Sequence, residues 1–176
     1  MNIRKLVIPV LLLLPSSVFA HGPTPQKAKE SIEIIAPVEK SWESVKQFDK
    51  ISEWYSDIKI STGDGKLESG GTRTLTFQNG EKLVDELDFF SDKDHEYSYR
   101  IKTENVKALP VSSYSVTVKV EPGNNDRSSI IILKSRFYRG DTGNTPPDNL
   151  NDEAAVKAMT NYFKNILSGL KQKIEQ

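Results

Sequence analysis

Asp85 lies in the run KLVDELDFF, where Leu83, Asp85, Leu87 and Phe89 fall at every second position. Strand alternation puts these four on one face, so a carboxylate points among apolar side chains. The run EYSYRI places Tyr97, Tyr99 and Ile101 together, and SYSVTVKV places Tyr114, Val116, Val118 and Val120 together. In SSIIILKSRFY the shared face carries Ile131, Leu133, Ser135 and Phe137. Asp85, Ser135 and the hydroxyls of Tyr99 and Tyr114 are then the polar groups of an apolar lining, the usual make-up of a small-molecule site. Burial raises the pKa of such an aspartate unless it meets Arg73 or a tyrosine hydroxyl. A one-residue slip in register instead sends Asp85 to solvent and Glu86 inward. The same apolar positions also fit a core that is simply filled.

Other chemistry is sparse. The sequence has two histidines, His21 and His95, and no cysteine. An amino-terminal His21 could hold copper through its amine and ring, with His95 completing a nitrogen site. His95, however, falls in the turn SDKDH, and His21 precedes the polar stretch GPTPQK. Without thiols there are no disulfides and no thiolate zinc site. The chain contains no Gly-x-Ser-x-Gly elbow, no His-Glu-x-x-His and no phosphate-binding Walker loop. Asp92 and Asp94 lie in a turn and read as solvated. We expect no catalytic residue, no cofactor and no metal, His21 being the one weak candidate.

The elements that must position these residues follow from periodicity. After a polar lead-in over His21 to Lys29, SIEIIA reads as a first strand. Pro37 starts a helix in which Val38, Trp42 and Val45 recur at helical spacing, with Phe48 three residues on. A second short helix or turn carries ISEWYSDI. The period then changes to two. IKIST and TRTLTF flank a Gly-rich segment, Asn79-Gly80 marks a hairpin, and three more strand runs follow the returning KLVDELDFF. The polar loop RGDTGNTPPDNL is a candidate partner surface or a solvated connector. Asn151 or Asp152 caps a long helix in which Ala155, Met159, Tyr162, Phe163, Ile166 and Leu170 form one apolar face. The expected fold is α+β: a curved antiparallel sheet around a long C-terminal helix, with two short helices after the first strand. The expected cavity lining is Trp54, Leu75, Asp85, Leu87, Tyr99, Tyr114, Val116, Leu133, Ser135, Phe137, Met159 and Phe163.

At the amino terminus, Arg4 and Lys5 precede an apolar run, Leu6 to Leu14, broken only by Pro9. Val18-Phe19-Ala20 then offers small residues for a cut after Ala20. This is the layout of a cleaved secretory signal, residues 1–20, followed by one domain over 21–176. The run is too short to span a bilayer, and no second one follows, so the mature chain is not expected to insert in a membrane. Lys plus Arg and Asp plus Glu number 24 each. No basic cluster of the kind nucleic-acid binding needs is present.

The opening IEIIAPVEKSWESVKQFDKISEWYSDI resembles the start of the SRPBCC superfamily, which contains the START, Bet v 1 and polyketide-cyclase-like helix-grip proteins. The stretches LPVSSYSVTVKVEP and FYRGD…PPDNLNDEAAV, with HGPTP near the mature start, are similar to the MxaD-type periplasmic members. One departure is local: Tyr55-Ser56 follows Trp54 where relatives often have His-Pro. The resemblance implies a helix-grip fold with a cavity between sheet and helix for a small hydrophobic or amphipathic molecule. It further implies a periplasmic, non-catalytic accessory protein that assists a quinoprotein alcohol dehydrogenase and its cytochrome c partner in methanol oxidation. The alternative it implies is a cyclase- or dehydratase-type enzyme acting on a small hydrophobic substrate.

Overall fold

The structure, a computed structural model, describes residues 22–176; the expected signal segment and His21 lie outside the described residues. The chain runs β1 (Gln26–Ile34), α1 (Val38–Val45), one 3₁₀ turn (Ile51–Glu53), β2 (Ile58–Gly63), β3 (Thr72–Phe77), β4 (Lys82–Ser91) and β5 (Glu96–Thr103). It continues with β6 (Val111–Pro122), β7 (Ser129–Arg139), a second 3₁₀ turn (Asp148–Leu150) and α2 (Asp152–Ile174). The strands form one seven-stranded antiparallel sheet in the order β1-β7-β6-β5-β4-β3-β2. Short turns join β2 through β7 in hairpin succession, while β1 crosses to the far edge and pairs with β7. This is the helix-grip α+β arrangement read from the sequence.

Bulges curve the sheet. The pairing shifts register between Ile58 and Ile60, between Val84 and Asp85, between Leu87 and Phe89, and between Ser112 and Ser115. An extra residue on one strand bends it and increases its twist. Ser113, inside the last of these irregularities, takes the left-handed φ of 46°. The concave face is covered by α2, whose first turn is capped by Asn151: its Oδ1 accepts the Ala154 amide at 2.9 Å. Ala155, Met159, Tyr162, Phe163, Ile166, Leu167, Leu170 and Ile174 form the buried stripe. Each large apolar side chain so buried contributes about 1.5–3 kcal/mol. The helix backbone runs beside β1, β7 and β6 and touches α1. Gly169 permits one close approach, because a Cβ there would lie 1.5 Å from the Trp54 carbonyl oxygen.

Two local expectations are corrected and a third, left between helix and turn, is resolved. The first strand begins at Gln26, not after Lys29, because its polar residues belong to an edge strand paired with β7 from Gln26 opposite Phe137. Backbone pairing, which periodicity does not see, carries Gln26 to Lys29. The same strand stops at Ile34, and Ile35 is left 74% exposed. Phe89 does not share the inward face with Leu83, Asp85 and Leu87. The bulge after Leu87 turns it outward to 45% exposure, and Phe90 packs against Trp42 instead. The second short helix is the single 3₁₀ turn at Ile51–Glu53.

Candidate functional site

A polar cluster lies buried in the middle of this apolar interior. In β3 the alternation Arg73, Leu75, Phe77 faces inward, and in β4 so does Leu83, Asp85, Leu87. The β3–β4 pairing sets Arg73 directly opposite Asp85. Arg73 is 2% and Asp85 0% exposed. Arg73 Nε donates to Asp85 Oδ2 at 2.8 Å, and Nη1 donates to the Phe48 carbonyl oxygen at 2.9 Å. The Tyr114 hydroxyl, from β6, donates to Asp85 Oδ1. Aromatic rings flank the guanidinium: its carbon lies 4.2 Å from the Phe48 ring centre and 4.5 Å from that of Tyr99. Tyr97 packs beside Tyr99, and Tyr99 meets Tyr114 edge-on.

Two buried donors in this interior have no partner, Arg73 Nη2 and the Tyr162 hydroxyl of α2. Leaving such a group unsatisfied costs about 1–3 kcal/mol.

The electrostatics follow from burial. Burial opposes the charge on Arg73, but Asp85 and the hydroxyls of Tyr99, Tyr162 and Tyr97 outweigh it and hold the guanidinium charged, well above its ordinary range. Burial pushes the Asp85 carboxyl up, and Arg73 and the Tyr114 hydroxyl pull it back only in part. A lone guanidinium in this interior would be costlier than the pair, so Asp85 is the counter-charge Arg73 requires. Burial likewise pushes the Tyr97 hydroxyl up to about 12. It raises Tyr99, Tyr114, Tyr162 and Tyr55 as well. These phenols are donors at neutral pH, not bases. Each oxygen of Asp85 already holds one donor, Arg73 Nε on Oδ2 and the Tyr114 hydroxyl on Oδ1.

The other candidate residues distribute as follows. Leu75, Leu87, Tyr99, Tyr114, Val116, Leu133, Phe137, Met159 and Phe163 are all buried in the same core as the cluster. Ser135 faces inward, but its hydroxyl is taken by the Ser115 carbonyl at 2.8 Å. Trp54 stands apart. It is half-buried beside a depression of about 440 Å³ with Gly169 and Lys173, and the Lys173 ammonium sits 4.7 Å from its ring centre. The His95 ring packs at a tilt of 58° against Trp42, centres 5.6 Å apart, and among the described residues no three potential metal ligands converge. The RGDTGNTPPDNL loop folds back on Arg139, which donates to the Asp141 and Gly143 carbonyls, each at 2.8 Å.

Sequence reasoning left three members of the cluster out of the candidate lining: Arg73, Phe48 and Tyr162. The signal for Arg73 was present, since TRTLTF alternates with Arg73 in phase with Leu75 and Phe77. Two depressions abut the cluster: one of about 210 Å³ lined by Gln47, Phe48, Asp49, Lys50, Gly65, Lys66, Leu67 and Thr72, and one of about 400 Å³ that Tyr114 helps to line. Phe48, which covers the guanidinium, forms part of the wall of the first. A larger depression, about 500 Å³, lies at the N-terminal end of α2 beside Gln26, Asp152 and Val156, away from the cluster.

Comparison with known proteins bears on the fold and on the family. The family model described as polyketide cyclase / dehydrase and lipid transport matches residues 25–175. Protein XoxI of Bacillus cereus is similar in structure, with a TM-score of 0.70 at 23% identity over 84% of this chain and 94% of its own. An uncharacterized protein of Bacillus thuringiensis is similar at TM-score 0.70 and 25% identity, over 86% of this chain and 100% of its own. A protein of Nitrosospira multiformis is similar at TM-score 0.66 and 21% identity, over 85% and 96% of the two chains. Comparison with curated proteins gives no significant match.

Proposed function

The chain belongs to the polyketide cyclase / dehydrase and lipid transport family, and from that membership we propose that it is a non-catalytic binding protein. It takes a small apolar or amphipathic molecule between the sheet and α2. One observation carries this reading: a fully buried, charged Arg73 keeps an unused donor, Nη2, inside an interior otherwise walled by apolar and aromatic side chains. The engagement of Asp85 by Arg73 and Tyr114 as a counter-charge supports binding over a cyclase or dehydratase role. The lining in this reading is Leu75, Leu87, Tyr99, Tyr114, Val116, Met159 and Phe163, joined by Arg73, Phe48 and Tyr162.

The wider setting is part of the proposal. The leader-like residues 1–20 support a periplasmic location, with a cut after Ala20. The MxaD-like stretches LPVSSYSVTVKVEP and FYRGD…PPDNLNDEAAV support an accessory role beside a quinoprotein alcohol dehydrogenase and its cytochrome c. The test is native mass spectrometry of the protein recovered from the periplasm after expression with its leader. We expect a chain beginning at His21 and an added small mass that is lost on denaturation. A bare chain that also takes up no apolar probe in solution would remove the binding role.

A further inference from the structure

Arg73 offers five N–H donors in a planar fork. One edge is spent on Asp85 through Nε, and Nη1 is spent on the Phe48 carbonyl. The Phe48 and Tyr99 rings flank the guanidinium. What remains is the second N–H of Nη1 and both of Nη2, the nitrogen that is buried and without any partner; the Tyr162 hydroxyl is in the same condition. The charge of Arg73 is already neutralised by Asp85 at 2.8 Å. A bound anion would therefore leave a net negative charge in an interior where, among the described residues, Arg73 is the buried cation, and that is costly. A neutral oxygen acceptor meets Nη2 with no such penalty.

The way in is also marked. The depression of about 210 Å³ is bounded by Phe48 and by Thr72, the residue before Arg73. Phe48 lies in the irregular link between α1 and the first 3₁₀ turn, outside any strand ladder. Its ring is the group standing over the guanidinium on that side. Leu67 at the rim is substantially exposed, and the lysines Lys50 and Lys66 add apolar stems to the mouth.

The geometry points to the class of molecule this protein takes: a neutral amphipathic compound whose ketone, ester, amide or hydroxyl oxygen accepts from Arg73 Nη2, admitted past Phe48. This rests on the binding role proposed above and adds the chemistry of the recognised group. Arg73 is the specificity-determining residue, and Asp85 acts as the counter-charge that makes the site select against anions.

The experiment uses three probes of one shape with the purified protein: acetylnaphthalene, ethylnaphthalene and naphthoate. Binding is followed by probe fluorescence and by the side-chain N–H resonances of Arg73. The ketone should bind roughly tenfold or more tighter than the hydrocarbon, the gain expected from satisfying a buried donor. Naphthoate should bind weakest, and only the ketone should shift the Arg73 guanidinium signals. The paired variant Arg73→Met with Asp85→Leu, which leaves no lone charge, should bind ketone and hydrocarbon alike. If the unaltered protein binds ethylnaphthalene as well as acetylnaphthalene, Nη2 is served by water, and the inference falls while the binding role stands. Tightest binding of naphthoate would overturn the neutral class. If none of the three binds, the binding role itself fails and takes this inference with it.

Discussion

Replacing Asp85 by asparagine keeps the side chain's shape and removes its charge. Arg73 then stays buried with a guanidinium that nothing neutralises, since among the described residues Asp85 is its ion-pair partner. Breaking a buried pair from one side costs about 3–5 kcal/mol. Two contacts modify that figure in opposite directions. The Tyr114 hydroxyl loses a charged acceptor, a bond of the stronger kind at about 1.5–3 kcal/mol. The Phe48 and Tyr99 rings go on holding the cation, a contact of about 2 kcal/mol when desolvated. The expected loss is about 4 kcal/mol, a large share of the 5–15 kcal/mol by which domains are usually stable. With a slope of about 2 kcal/mol per molar urea, the unfolding midpoint falls by about 2 M. Tryptophan fluorescence reports it, because Trp42 is buried against Phe90 and Tyr97. The paired variant Arg73→Met with Asp85→Leu should recover most of the loss, as apolar replacements of buried pairs do. A drop below about 0.5 M for Asp85→Asn, or a paired variant no better than the single one, refutes the claim that Asp85 is there to neutralise Arg73.

Two further outcomes follow from the same interior. Five of the six tyrosines, Tyr55, Tyr97, Tyr99, Tyr114 and Tyr162, are held by burial above the usual phenol range. Their contribution to stability is complete below about pH 10, where the unfolded phenol ionises, and is lost as pH rises toward the folded values. For Tyr97, whose hydroxyl is held at about 12, that contribution is about 3 kcal/mol. Phenolate absorbance should therefore appear for these residues in one cooperative step together with loss of the helix signal; gradual ionisation in the folded protein near pH 10 would contradict it. Gly169→Ala should destabilise, although alanine normally gains about 1 kcal/mol over glycine within a helix. The new Cβ meets the Trp54 carbonyl oxygen at 1.5 Å, so the melting temperature should fall by an amount matching about 3 kcal/mol or more. An unchanged or raised melting temperature would mean that α2 does not pack on Trp54 as described.

Alternation made most of the sheet legible. The inward residues of β5, β6 and β7 are those read from period two, because each strand keeps its pleat along the part that meets the core. What escaped has two physical causes. Polar edge strands are held by their backbones, so Gln26 to Lys29 carried no apolar signal for the start of β1. Bulges insert a residue and reverse the pleat, so Phe89 left the face that Leu83 to Leu87 define. Phe48 and Tyr162 reach the cluster from segments 25 residues before and 89 residues after Arg73, and no local pattern relates them. Arg73 was in phase with its neighbours, but an arginine is almost never buried unless paired, and its pairing depends on register.

That register is decided in the β3–β4 hairpin, and with it the chemistry of the site. Asn79-Gly80 read as a two-residue loop would place Arg73 opposite Glu86. The chain instead forms the loop Gln78-Asn79-Gly80: the Phe77 amide donates to Glu81 O, the Gly80 amide to Phe77 O, and Gly80 takes a φ of 84°. This is the three-residue hairpin ending in a left-handed residue, a conformation glycine adopts without strain. The one-residue difference sets Arg73 against Asp85 and leaves Glu86 on the outer face with Lys102 and Arg100. The shorter aspartate holds Nε alone, Tyr114 takes its other oxygen, and Nη2 is left over. A longer glutamate opposite Arg73 could have reached both Nε and Nη2 as a bidentate partner, closing the fork. The free donor on which binding is argued to turn is thus a consequence of where one glycine ends one loop.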